Sequence, residues 1–102
     1  MERIHKSTKL LPGDIVKVIG GPTGLVSKGC YEVIRVNSII RTKFSIQIDA
    51  KYLYGNSARS KYMSVLMSSG FIGDMMYRCL FRAGGNDKFY KLTKEEAIIE
   101  LI

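Results

Sequence analysis

The cleanest alternation of apolar and polar positions runs from Ser45 to Tyr52. Ile46, Ile48 and Ala50 fall on one side, and Ser45, Gln47 and Asp49 on the other. That period of two predicts a half-buried β-strand. The β-branched run Ile15-Val16-Lys17-Val18-Ile19 predicts another. From Cys30 to Val36, Tyr31 and Val33 share one face while Cys30, Ile34 and Val36 share the other. Apolar groups on both faces predict a strand that is curved or buried on both sides. Met76 to Ala83 alternates again, with Tyr77, Cys79 and Phe81 opposite Arg78, Leu80 and Arg82. Gly84-Gly85-Asn86-Asp87 then reads as a hairpin loop, and Lys88 to Leu92 as the returning strand.

Helical spacing occurs twice. Ala58, Tyr62, Val65, Leu66 and Ser69 recur at three and four residues, with Ser57 placed to cap the start and Gly70 the end. This predicts a helix over 57–69. Thr93 followed by Glu96 has the spacing of a capping box and opens a short helix through Ala97, Ile98 and Leu101. Pro12-Gly13-Asp14 marks a turn, and Gly20-Gly21-Pro22-Thr23-Gly24 breaks regular structure in a loop that Gly29 ends. Residues 1–9 carry Arg3, His5, Lys6 and Lys9 and read as a flexible basic arm, leaving 10–102 as one domain. Five short strands and two short helices make the chain mainly β, a small barrel with helical decoration. An α+β sheet with a helix packed on it is the alternative.

Length and composition limit the classes of function. A chain of 102 residues, 46% of them apolar, has room for one core and enough apolar content to fill it. No apolar run approaches the roughly 20 residues that span a bilayer. Met1-Glu2-Arg3-Ile4-His5-Lys6 lacks the apolar stretch of a secretory signal. The expectation is a cytoplasmic protein with no membrane partner. Cys30 and Cys79 stand apart, without zinc-like spacing or a neighbouring His, and read as reduced core thiols.

Charge changes the picture more. Sixteen Lys and Arg against nine Asp and Glu give +7, but Glu95, Glu96 and Glu100 crowd the C-terminal segment. Before Thr93 there are fifteen basic and six acidic residues, a surplus of nine. Such a field draws polyanions and speeds their encounter. Arg78 and Arg82 share a strand face, Lys88 and Lys91 follow across the hairpin, and Arg35, Arg41 and Lys43 edge the second and third strands. These cations can meet phosphates while Tyr52, Tyr54 or Tyr90 stack on bases. A solvated basic surface with core tyrosines accounts for the same residues equally well.

Catalytic chemistry has little to stand on. The single histidine, His5, lies in the expected arm, where nothing would hold it as a base. Asp14 and Asp87 fall in turns, Asp49 on a strand face and Asp74 beside Gly73, so no metal-like carboxylate group forms along the chain. The loop from 20 to 29 lacks the P-loop pattern, since Lys28 precedes Gly29 and no helix begins there. No catalytic residue, cofactor or metal site is expected.

Gly13-Asp14-Ile15-Val16-Lys17-Val18-Ile19, a glycine-rich loop, then Lys28-Gly29-Cys30-Tyr31-Glu32-Val33-Ile34 resembles the opening of SH3-like barrels of the KOW type. It also resembles short accessory proteins of tailed bacteriophages that begin with such a barrel. The resemblance covers about a quarter of the chain, within Pro12 to Val36, and fades beyond. It implies a five-stranded small barrel in which the 57–69 helix is an insertion. It also implies contacts with RNA, DNA or proteins of transcription and translation through the first loop, especially Thr23, Lys28 and the flanking Lys17.

Two functions follow as expectations. One is a non-enzymatic nucleic-acid-binding accessory protein that reads backbone charge more than sequence. No recognition helix is evident, because the 57–69 segment carries only Arg59 and Lys61 and the last helix is acidic. The other is a protein-binding module, for example a phage-encoded factor that docks on a host protein. Its surface would draw on Met63, Met67, Phe71, Ile72, Met75 and Met76. Basic residues gathered on one face favour the first; an even scatter favours the second.

Overall fold

The computed structural model describes residues 1–5, 7–21, 26, 28–41, 45–56, 76–82 and 87–102, with Ser45 and 76–82 described by backbone alone. The alternating segments form one antiparallel sheet. Its strands are β1 (Glu2–Arg3), β2 (Ile15–Ile19), β3 (Tyr31–Arg41), β4 (Ser45–Gly55), β5 (Met76–Arg82) and β6 (Lys88–Lys91), followed by helix α1 (Lys94–Leu101). The order across the sheet is β1-β6-β2-β3-β4-β5. Strands β2 to β5 thus run as a meander, and the last strand returns to the free side of β2. Among the described residues the sheet is open, with β1 and β5 at its edges. The mainly β expectation and the C-terminal helix are both realised, whereas the 57–69 helix lies outside the described residues.

The Pro12-Gly13 turn enters β2 for a local reason. Gly13 has φ of 94°, which an L side chain adopts only at a cost. Asp14 N–H donates to the Leu11 carbonyl, and the Asp14 carboxylate accepts from Leu11 N–H. Gly13 N–H reaches the Val36 carbonyl and ties the turn to β3. At the other end of β2, Gly29 has φ of 78°, and Gly20 exchanges bonds with Gly29 and Cys30 to close the loop.

One face of the sheet carries the main core. Val16, Val18, Ile34, Val36, Ile46, Ile48, Ala50, Tyr52 and Phe89 lie there, and Ile4, Leu10 and Val26 pack over them. Residues 1–5 and 7–9, expected as a free arm, are laid against the protein instead. Glu2 pairs with Lys91 and Arg3 with Tyr90, while Ile4 is wholly buried. The physical reason is Ile4 itself, an apolar side chain amid polar neighbours, whose burial stabilises by about 2 kcal/mol. Glu32 is also wholly buried, and no buried side-chain N or O among the described residues lacks a hydrogen-bond partner. Cys30 is a free thiol, half-buried against this core.

Two register shifts in the β3–β4 ladder decide which side chains share a face. Ile34 pairs with Tyr52 but Val33 with Tyr54, so Leu53 is an extra residue in β4. Val36 pairs with Ala50 but Ser38 with Asp49, so Asn37 is an extra residue in β3. Each extra residue exchanges the faces of the residues beyond it and bends the strand.

Candidate nucleic-acid interface

The face opposite the main core is built by residues of odd number in β2 and the first half of β3. Cross-strand partners share a face, so the pairing lists its members directly. One row runs Arg3, Tyr90, Lys17, Val33, Tyr54. A second runs Ile15, Arg35, Lys51, and a third Lys88, Ile19, Tyr31. Five cations and three tyrosines therefore interleave on one surface. Arg3, Arg35 and Lys88 are exposed, and Lys17, Lys51 and the three tyrosines are half-buried. A small apolar cluster of Ile15, Val33 and Leu92, with Leu53 and Ala97 against it, holds the rows in place.

Helix α1 lies over the middle of this face. Thr93 caps it: its hydroxyl accepts from Glu96 N–H, and the Glu96 carboxylate accepts from Thr93 N–H. The Lys17 ammonium contacts the Glu100 carboxylate at 3.1 Å and stands 4.8 Å from the centre of the Tyr31 ring. Tyr31 and Tyr54 meet edge to face with centroids 6.1 Å apart. The Tyr54 hydroxyl donates to the Glu100 main-chain carbonyl at 2.7 Å. Burial first, and then the hydrogen bond with Glu100, push the Tyr54 hydroxyl well above its ordinary value. The Tyr54 hydroxyl close to its side chain, and after it the Lys17 ammonium, hold the Glu100 carboxyl below the usual carboxylate range against the opposing effect of burial. Glu96 is lowered as well, first by the amino group of Met1 and then by the Thr93 N–H.

Among the described residues, the expected cation and loop positions do not all fall on one face. Lys17, Arg35 and Lys88 belong to the interleaved face. Exposed Lys28 lies in the β2–β3 loop beside Gly29, at the end of the sheet where Lys88 begins β6. The Gly21 N–H contact with the Asp87 carboxylate draws these two segments together. Arg41 and Lys91 are placed elsewhere. Beyond the Asn37 shift, Arg41 pairs with Ile46 on the core side, and its guanidinium donates to the Thr8 carbonyl. Lys91 pairs with Val16, donates to the Lys9 carbonyl at 3.0 Å and lies 3.7 Å from the Asp14 carboxylate. Both tie down the chain that covers the main core. Arg78 takes a register position opposite Asp49 and Arg82 one opposite Ser45. Thr23 and Lys43 lie outside the described residues.

The tyrosine expectations divide in the same way. Tyr52 is only 1% exposed and belongs to the main core, so it cannot stack on a base without unfolding. Tyr54 and Tyr90 remain on the opposite face. Sequence reasoning missed Arg3, Tyr31 and Lys51 as members of this surface. Continuing the Tyr31–Val33 alternation to Arg35 would have joined the first pair of rows, but Lys51 and Arg3 needed the pairing. Among the described residues no three His, Cys, Asp or Glu side chains form a metal-holding group. No helix among them is long and apolar enough to cross a membrane. The chain matches no protein-family model, no curated protein and no solved structure.

Proposed function

We propose that this chain is a non-enzymatic nucleic-acid-binding accessory protein that works through the face formed by Arg3, Lys17, Tyr31, Arg35, Lys51, Tyr54, Lys88 and Tyr90. The interleaving of cations with aromatic rings on one surface carries this reading. Guanidinium and ammonium groups neutralise phosphates, and tyrosine rings offer planes on which any base can stack. A strand surface without a groove-reading helix fits backbone contact with little sequence preference, and single strands more than duplex. The fold reading goes with it. We also read the meander, whose last strand returns beside β2, as part of a KOW-type small barrel of the kind also found in short phage accessory proteins. The proposed setting is the cytoplasm, the host's if the chain is phage-encoded.

A protein-binding role is the second reading, and one observation favours it. Ile98, Ile99, Leu101 and Ile102 are exposed on and after α1, an apolar surface that suits a protein partner such as a host factor. The Met-rich segment that first suggested this role lies outside the described residues apart from the backbone of Met76.

The test is a fluorescence-anisotropy titration of labelled single-stranded DNA, duplex DNA and RNA at low and near-physiological salt. The expected result is binding that weakens steeply with salt and favours single strands. Absence of binding to all three at low salt, where basic surfaces bind most readily, overturns the proposal.

A further inference from the structure

The acidic helix and the basic face oppose each other within one chain, and the contact is thin. No residue of α1 is buried, and its half-buried positions are Glu96, Ala97 and Glu100. Glu100 lies where a ligand phosphate would be held, on the Lys17 ammonium, and its main-chain carbonyl takes the Tyr54 hydroxyl. Ala97 of the same helix packs against the Ile15, Val33 and Leu92 cluster, as Tyr31 and Tyr54 also do. An element held by a few exposed or half-exposed polar contacts opens at low cost compared with the sheet beneath it.

We infer that α1 is an autoinhibitory cover, in which Glu100 occupies Lys17 in place of a phosphate and a single-stranded nucleic acid must displace the helix to reach Lys17, Tyr31 and Tyr54. The inference rests on the nucleic-acid reading above. Among the described residues no hydrogen bond or ion pair joins Arg3, Arg35 or Lys88 to α1, and these three supply the first encounter. Displacement of α1 then adds the central cation and the two rings. A ligand that must compete with an internal occupant binds more weakly by the fraction of time the site is open, so loosening the helix raises affinity.

Three full-length variants and the wild type separate the outcomes, each titrated with a labelled single-stranded DNA of about 15 nucleotides. Glu100→Gln removes the ion pair, and Tyr54→Phe removes the hydroxyl donor without altering charge or the ring. Glu95→Gln makes the same charge change as Glu100→Gln at an exposed position of the same helix. The expected result is binding about fivefold tighter for Glu100→Gln and for Tyr54→Phe, with Glu95→Gln close to wild type. Amide exchange over 94–101 in the wild type should quicken when DNA saturates the protein. Equal affinities for Glu100→Gln, Tyr54→Phe and Glu95→Gln, or amides of α1 that stay protected in the complex, overturn the cover and leave the nucleic-acid reading intact. No binding by any of the four proteins overturns both.

Discussion

Gly13 and Gly29 carry the positive φ angles that let the chain turn into β2 and close the loop between β2 and β3. A methyl group at either would meet open space, so the cost of Gly13→Ala or Gly29→Ala is conformational. We expect a loss of about 1–2 kcal/mol for each in urea unfolding, with the slope unchanged. A loss below the error of the measurement would show that the turns are not held left-handed. Tyr52 makes the larger difference. Tyr52→Ala should cost about 3–5 kcal/mol, as for other large aromatic truncations in a core. These residues differ in how well the sequence revealed them. Pro12-Gly13-Asp14 is legible because its turn chemistry is local. The alternation through Ile46, Ile48 and Ala50 runs on to Tyr52 and places it in the core, although its hydroxyl invites a surface role. Tyr54 should follow on the same side, and only the extra residue Leu53 sends it to the opposite face. Asn37 does the same to Arg41, separating it from Arg35. Nothing in the spacing of side chains marks such a shift, because it exists only relative to the partner strand.

Helix α1 was readable as an element, since the Thr93–Glu96 capping box is local chemistry. Its placement was not readable, because Lys17 and Glu100 lie at distant points in the chain and meet only through the sheet. Thr93→Ala should weaken the helix by about 1 kcal/mol, seen as faster amide exchange over 94–101 with the strands unaffected. Exchange unchanged over those residues would contradict the capping geometry. The helix contact should also depend on pH at both ends of the range. Glu100 has a lowered folded-state value, so the unfolded chain takes up its proton first as acid is added. Its contribution is complete above the ordinary carboxylate range and is lost as pH falls through that range and below it. Tyr54 has a raised value, so its contribution is complete below the ordinary tyrosine range near pH 10 and is lost as pH rises above it. Protection of the α1 amides, corrected for intrinsic exchange, should therefore fall in acid and again in strong alkali. Protection that is flat below pH 5 would remove Glu100 from the anchor.

At the scale of the molecule, the sheet sorts a scattered set of basic residues into two groups with different work. Arg41 and Lys91 hold the carbonyls of Thr8 and Lys9 and so fasten the covering segment over the main core. Arg3, Lys17, Arg35, Lys51 and Lys88 share the other face with Tyr31, Tyr54 and Tyr90. The surplus of basic residues was visible from composition, but this division was not, since it depends on strand order and on the two register shifts.

We propose that nucleic acid binds on this second face. The most direct test compares Arg35→Gln and Lys88→Gln, each on the proposed face, with Lys9→Gln, an exposed position in the segment that covers the main core. All three variants lose one positive charge, so the general field of the protein falls equally. Affinity for labelled single-stranded DNA would be measured by anisotropy over a series of salt concentrations. Arg35→Gln and Lys88→Gln should each weaken binding severalfold and make the slope of log affinity against log salt shallower by about 1, while Lys9→Gln leaves the slope unchanged. Three variants with the same small loss of affinity and the same slope would contradict it, placing the binding in the overall charge and not in this face.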